Sequence, residues 1–205
     1  EYSGLLRRLS SGVRARFGSE LPILLIQLAG YGVPPTAPAE SGWASLREAQ
    51  RKVADEDPRM AIAIALDIGD RYDIHPPNKQ ELGRRLARAA RQLVYGEAIS
   101  ASGPVPLSAT RKDDAVVVRF GDVDGALVAY GASAPVGFEL CGHKVDSCHY
   151  ASGEIRGSEV VLRTALSTEA ARVRYGWADN PVVNLFDGAG LPAGPFEISI
   201  VEAAP

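Results

Sequence analysis

The sequence predicts an α/β fold followed by an antiparallel β unit, because its hydrophobic pattern changes near residue 100. Residues 1–98 alternate amphipathic helices with unbroken apolar runs, and such runs are typical of strands buried on both faces of a parallel sheet. From residue 103 onward, short β-prone runs lie between turns that contain Gly, Asp or Pro, which favours antiparallel strands. We therefore predict two units, 1–98 and 103–205, with their junction in segment 96–106.

The apolar spacing predicts three helices and two strands in the first unit. In chain order these are a helix over 2–17, a strand over 21–28, a helix from 41 or 42 to before Pro58, a strand over 60–66 and a helix over 80–95. The first helix should bury a face made of Tyr2, Leu5, Leu6, Leu9, Val13 and Phe17. Asn78 should cap the start of the last helix, because Glu81 three residues on completes a pair typical of helix N-termini. Its arginines are predicted to face solvent: Arg84, Arg85, Arg88 and Arg91.

The first unit is short of strands. Two strands are too few for a stable parallel sheet covered on both faces. We therefore expect the remaining strands from a preceding segment or from another chain. The second unit should contain strands near 115–120, 160–164, 171–177 and 196–201.

Composition excludes some classes of partner. The 205 residues are 46% hydrophobic and 23% charged, with a formal net charge of −3, as in an ordinary globular protein. This balance argues against nucleic acid or an anionic membrane as the main partner, and no apolar run approaches the roughly 20 residues of a membrane span. The chain opens at Glu1 without a methionine, so the lack of a signal peptide says nothing about export.

The segment from Asp67 to Lys79 contains the candidate catalytic residues. It places His75 and three carboxylates after a predicted strand, at the carboxyl edge where open α/β sheets bind ligands. An imidazole with a neighbouring acid can take a proton from a nucleophile, and the acid fixes the tautomer and stabilises the imidazolium. Asp73 is the preferred partner, since both side chains can point one way along an extended segment. Asp67 and Asp70 are the alternatives, and both could equally form turns.

A nucleophile for this histidine is missing from the sequence. There is no Gly-Asp-Ser or Gly-x-Ser-x-Gly turn. Ser10, Ser11, Ser19 and Ser41 are predicted to be surface or capping serines. The nucleophile and most of the oxyanion hole should therefore come from outside this chain.

Two cysteines lie close together in the second unit. Cys141 and Cys148 could close a short loop by a disulfide, which would fit an oxidising compartment, or remain as two free thiols. With His143 and His149 they could also bind zinc, but their spacing matches no ligand pattern that supports it.

Aromatic residues of the second unit suggest an alternative function. Trp177, Tyr175 and Tyr150 could stack on a sugar, although such residues in a small β unit are more often core. The alternative is therefore a non-catalytic glycan-binding fragment in which His75 has no chemical role.

Four segments resemble the sialate O-acetylesterase family of carbohydrate esterases, within the SGNH hydrolase superfamily. They are Leu21–Ala29, Trp43–Gln50, Asp67–Lys79 and the stretch Arg174–Pro181 with Asn184–Leu185 and Gly190–Phe196. The resemblance spans nearly the whole chain. It implies the carboxyl-terminal portion of an SGNH-type, flavodoxin-like parallel-sheet domain, followed by a small accessory antiparallel β domain.

By this resemblance His75 is the catalytic histidine and Asp73 its acid partner. The superfamily more often has the acid three residues before the histidine, where this chain has Tyr72. The resemblance implies that a serine on an upstream segment attacks an acetyl ester of a sugar, with no metal or organic cofactor. The substrate would be 9-O-acetyl sialic acid or an acetylated plant polysaccharide. Location would be secreted or periplasmic in a bacterium, and lysosomal or extracellular in an animal. Arg47, Glu48 and Gln50 lie in a family motif and are expected either to be structural or to support the residues that contact the substrate.

Overall fold

The amino-terminal part is a two-stranded parallel sheet with three helices, in a computed structural model that describes residues 1–203. Its elements are α1 (Tyr2–Phe17), β1 (Ile23–Ile26), α2 (Gly42–Glu56), β2 (Met60–Ala63) and α3 (Lys79–Leu93). Strands β1 and β2 pair in parallel, with Ile23 opposite Met60 and Ile26 opposite Ala63. The predicted order of helices and strands is confirmed, and both strands are shorter than the apolar runs that contain them.

Side-chain caps begin the second and third helices. The Ser41 Oγ accepts a hydrogen bond from the Ala44 backbone N–H at 3.0 Å at the start of α2. The Asn78 Oδ1 accepts one from the Glu81 N–H at 3.2 Å at the start of α3. Each satisfies a backbone donor that the first turn of a helix leaves without a partner.

The amphipathic face of α1 is only partly covered. Leu6 packs with Val53 of α2 and Met60 of β2 in a small core. Leu9 and Phe17, which were predicted to be buried with it, are 63% and 70% exposed. The sequence therefore provides a wider apolar face than residues 1–203 cover.

Up to residue 203, the carboxyl-terminal part is built from ten strands, of which two are short. These are β3 (Val105–Lys112), β4 (Ala115–Gly121), β5 (Val128–Ala129), β6 (Phe138–Cys141), β7 (Cys148–Tyr150), β8 (Ser152–Arg156), β9 (Glu159–Arg163), β10 (Arg172–Tyr175), β11 (Leu185–Phe186) and β12 (Phe196–Glu202), where β5 and β11 form a separate pair. The other eight form one sheet in the order β7-β6-β10-β12-β3-β4-β9-β8. Its pairs are antiparallel except β12 with β3.

The large sheet curls back on itself. Strands β7 and β8 stand at opposite ends of the sheet order, yet only Ala151 separates them in the chain. One bent stretch of chain therefore forms both edges, and the sheet nearly closes. Its interior is the main core, where Phe138, Tyr175 and Phe196 are fully buried.

One arginine of α3 is buried, contrary to the sequence prediction. Arg84 and Arg91 face solvent as expected, but Arg85 is only 4% exposed. Its guanidinium donates to the Ile64 carbonyl at 2.8 Å and to the Asp67 carboxylate. An arginine can occupy such a site when an acid neutralises it and carbonyls accept its other protons.

The two cysteines form a disulfide. Cys141 and Cys148 lie opposite each other on β6 and β7, and their sulfurs are bonded. The zinc alternative is therefore wrong, because a disulfide offers no thiolate ligands.

The two parts are in close contact. Arg88 of α3 donates to the Ser100 carbonyl at 2.6 Å and pairs with Asp124 of the second part at 2.6 Å. A Cβ at Gly194 would lie 2.8 Å from Ile64 Cδ1, so the chain after β11 packs directly on the end of the small sheet. No helix within residues 1–203 combines the length and apolarity needed to cross a membrane.

Candidate active site

The candidate catalytic residues lie on the connection from β2 to α3. After β2 the chain makes a 3-10 turn, Leu66–Ile68, and then runs along the surface to the N-cap of α3. His75 and Asp73 lie on this surface stretch, and their side chains are 82% and 61% exposed. The connection leaves the carboxyl end of a parallel strand, as the sequence predicted.

An ion pair fixes the start of this loop. Arg85 donates to both oxygens of Asp67, at 2.6 and 2.7 Å. It also binds the Glu81 carboxylate at 3.0 Å. Asp67, one of the alternative acid partners of His75, is therefore engaged by α3 instead.

Two glycines, Gly69 and Gly30, allow a backbone contact that fixes the loop at a second point. A Cβ at Gly69 would lie 2.1 Å from the carbonyl oxygen of Gly30, so only glycine fits there without a shift of the backbone. The neighbouring Gly32 N–H donates to the Arg71 carbonyl at 3.2 Å. The loop after β1 and the loop after β2 thus touch along their backbones, at the edge where the sequence predicted that they meet.

His75 and Asp73 contact each other twice. The Asp73 Oδ1 accepts a hydrogen bond from the His75 backbone N–H at 2.8 Å and lies 3.2 Å from the ring Nδ1. These hydrogen bonds, from the backbone first and the ring second, lower the pKa of Asp73. Its carboxylate therefore stays ionised and orients the imidazole through Nδ1.

The third acid of the segment has a different task. The Asp70 Oδ1 accepts a hydrogen bond from the Tyr72 N–H at 2.8 Å, so Asp70 stabilises a turn. Among the three carboxylates, the ring of His75 has Asp73 as its partner within residues 1–203.

This pair can act as a general base. With Nδ1 protonated toward a carboxylate, the other ring nitrogen is free to take a proton from a hydroxyl or water. No hydroxyl or thiol of residues 1–203 forms a hydrogen bond with the ring. Ser41, at the end of the loop after β1, caps α2 and donates to Asp179 at 2.5 Å.

A buried arginine joins this edge to the second part of the chain. Arg47 of α2 is fully buried and donates to the carbonyls of Ala29 and Asp179, at 2.6 and 2.8 Å. Burial lowers its pKa to about 10, against the opposing influence of Asp179. The prediction of a structural role for Arg47 fits these contacts, since every partner is backbone of the chain itself.

Sequence reasoning missed a cleft on the second part. It has a volume of about 470 Å³ and is lined by residues that include Pro35, Glu139, Tyr150 and Trp177. Glu139 is only 2% exposed in the otherwise apolar strand β6. The sequence signal that could have indicated this cleft was an acid within an apolar run. Tyr175, by contrast, is fully buried in the core, which is the more common position for an aromatic residue of a small β unit.

Comparison with solved structures found a likeness to an esterase. The chain is similar to the crystal structure of a carbohydrate acetylesterase from Xanthomonas citri, with 36% sequence identity and a TM-score of 0.88. The match covers 96% of this chain and 46% of that chain, so this chain spans less than half the length of the solved protein. A scan against protein-family models and a search of curated proteins found no match.

Proposed function

We propose that this chain is the histidine-bearing part of a carbohydrate O-acetylesterase. The observation that carries the proposal is the contact between His75 and Asp73 on an exposed loop after a parallel strand. The likeness to a carbohydrate acetylesterase over 96% of the chain supports it. In this proposal the chain supplies the base and its acid partner, and an amino-terminal portion supplies the nucleophilic serine.

The proposed reaction is acyl transfer through a serine. The serine oxygen attacks the acetyl carbonyl while His75 takes its proton, and Asp73 stabilises the imidazolium. The tetrahedral intermediate collapses when His75 returns the proton to the departing sugar hydroxyl. Water then attacks the acetyl-enzyme, again giving a proton to His75, and acetate leaves as the serine is restored. The proposed reaction needs no cofactor.

The exposure of β1 supports the proposal that more strands are needed. Ile26 of β1 is 44% exposed, whereas Met60, Ala61 and Ala63 of β2 are buried. The outer edge of β1 is therefore the place where an SGNH-type parallel sheet would continue. The exposed face of α1 would be covered at the same time.

The substrate would be an acetylated glycan, either a 9-O-acetyl sialic acid or an acetylated plant polysaccharide. The protein would be secreted or periplasmic in a bacterium, and lysosomal or extracellular in an animal. The disulfide between Cys141 and Cys148 supports an oxidising compartment.

The test is acetate release by the chain together with its amino-terminal portion. With p-nitrophenyl acetate and acetylated xylan as substrates, His75→Ala should lower kcat by at least about 100-fold. His149→Ala is the matched control, because His149 is an exposed histidine on β7, and it should keep full activity. Full activity of His75→Ala would overturn the proposal.

The alternative function is glycan binding without catalysis, and the cleft beside Trp177 favours it. It predicts that the unaltered protein binds a sugar and releases no acetate from any acetylated glycan. Activity that depends on His75 would exclude this alternative.

A further inference from the structure

The cleft on the second part lies between the curled sheet and the loop after β1. Pro35 of that loop lines the cleft together with Pro135 and Pro181. Arg174 of β10 fixes the loop to the sheet, because it holds both oxygens of Glu40 at 3.0 and 3.1 Å. The same loop meets the His75 loop at Gly30, so the cleft shares a structural element with the candidate active site.

Glu139 is a buried acid, and one of its carboxylate oxygens receives no hydrogen bond from residues 1–203. It lies on β6 directly opposite Tyr150 of β7, so both side chains are on one face of the sheet, and both line the cleft. Its Oε2 is shielded from solvent and has no partner within residues 1–203. Arg174, which lies opposite Glu139 on β10, donates to Glu40 and Glu197 instead.

Burial governs the charge of Glu139. It raises the pKa of this carboxyl to about 7, while Arg174 lowers it and Glu40 and Glu197 raise it. The group can therefore donate or accept a hydrogen bond near neutral pH. A buried polar group without a partner costs free energy, and such groups in native proteins call for an explanation.

Trp177 is a second unpartnered group in the same cleft. Its side chain lines the cleft, is only 6% exposed, and its indole Nε1 has no acceptor within residues 1–203. The guanidinium of Arg174 lies 4.4 Å from the centre of its ring and holds it in place.

A metal does not account for Glu139. Its carboxylate lies within 4.8 Å of the sulfurs of Cys141 and Cys148. Those sulfurs are bonded to each other and provide no thiolate, so this cluster has too few ligands for a metal ion.

We infer that this cleft binds one neutral sugar residue. Both unpartnered atoms are shielded from solvent in this structure, so they reach a sugar through a small rotation of their side chains. A sugar hydroxyl then accepts a hydrogen bond from Trp177 and donates to or accepts from Glu139, while the apolar face of the sugar ring fits the aromatic and proline walls. An ammonium ligand cannot accept from the indole N–H, and an anionic ligand would meet the carboxylate of Glu139. That the sugar belongs to an acetylated glycan substrate rests on the proposed function, whereas the binding site itself does not.

Binding of unacetylated sugars tests the site apart from catalysis. Calorimetric titration with xylotriose and cellotriose should show saturable binding, and N-acetylneuraminic acid should bind more weakly because it is anionic. Trp177→Phe keeps an aromatic ring and removes the indole N–H, so it should weaken sugar binding about tenfold. Trp43→Phe, which changes the other tryptophan of the chain, should leave the affinity unchanged.

A second variant separates binding from folding. Glu139→Leu should also weaken sugar binding about tenfold, while its Tm stays the same or rises, since an unpaired buried acid is removed. Equal affinity of Trp177→Phe, Glu139→Leu and the unaltered protein, or no binding of either neutral sugar, would overturn the inference. If His75→Ala loses acetate release and the unaltered protein binds no sugar, the sugar site alone is overturned. If the unaltered protein binds sugar and His75→Ala keeps full activity, the proposed esterase function alone is overturned.

Discussion

Arg85 and Asp67 form an ion pair with two contacts, at 2.6 and 2.7 Å, that ties α3 to the start of the His75 loop. The arginine is buried, and it also donates to the carbonyl of Ile64, the residue that follows β2. One side chain therefore sets the end of the strand and the first turn of the loop. The pair anchors the start of the segment that leads to His75.

Arg85→Ala should lower the free energy of unfolding by roughly 3–5 kcal/mol, because it leaves the Asp67 carboxylate without its buried partner. Urea unfolding followed by circular dichroism measures this. Arg84→Ala is the control, since Arg84 is exposed on the same helix, and it should change stability by less than about 0.5 kcal/mol. Equal effects of the two changes would contradict the structural role of the pair.

Gly69→Ala should destabilise the protein by about 1–3 kcal/mol, since its Cβ would lie 2.1 Å from the Gly30 carbonyl oxygen and force the two loops apart. The control is Gly83→Ala on α3, where a Cβ meets open space. It should raise stability by about 0.5–1 kcal/mol, because alanine loses less freedom in a helix. Thermal unfolding of both variants is the measurement. A Gly69→Ala variant as stable as the unaltered protein would show that the loops do not touch there.

Asp73→Asn should lower kcat about 100-fold and leave KM nearly unchanged, because the amide neither stabilises the imidazolium nor enforces its tautomer. Asp70→Asn is the matched control, and it should keep most of the activity because Asp70 stabilises a turn. Steady-state kinetics of acetate release compares them. If Asp70→Asn were the more damaging change, the acid partner would be misassigned.

Glu139 should make stability fall as pH rises from about 4.5 to about 7, since burial raises its pKa to about 7 from an ordinary value of 4.5. In this range the folded protein binds more protons than the unfolded chain, so the free energy of unfolding decreases with pH, by roughly 3 kcal/mol in total. Glu139→Gln should remove this component. Glu169→Gln, at an exposed position, should retain it. Urea unfolding at several pH values tests this, and parallel pH profiles for both variants would contradict it.

The sequence predicted those features that depend on neighbouring residues. The Asn78 cap and the strand after Pro58 follow from local chemistry and apolar runs, and both are present. The pairing of Asp73 with His75 was also predictable, since an acid two residues before a histidine can reach both its N–H and its ring.

Features that depend on distant residues were missed. Arg85 was predicted to face solvent because the apolar pattern of a helix assigns every arginine to the polar face. Its partner Asp67 lies 18 residues away, so no local pattern indicates the pair. The cleft is formed by segments near residues 35, 137, 151 and 177, which only the folded chain brings together. Glu139 was therefore overlooked although it interrupts an apolar strand.

Labelling with a fluorophosphonate tests the central claim most directly, because such probes react with a serine that a histidine has activated. The label should be mapped by peptide mass spectrometry in the protein that contains this chain and its amino-terminal portion. We expect one labelled serine outside residues 1–205 and loss of that label in His75→Ala but not in His149→Ala. A label on a serine of this chain, or labelling that persists in His75→Ala, would contradict it.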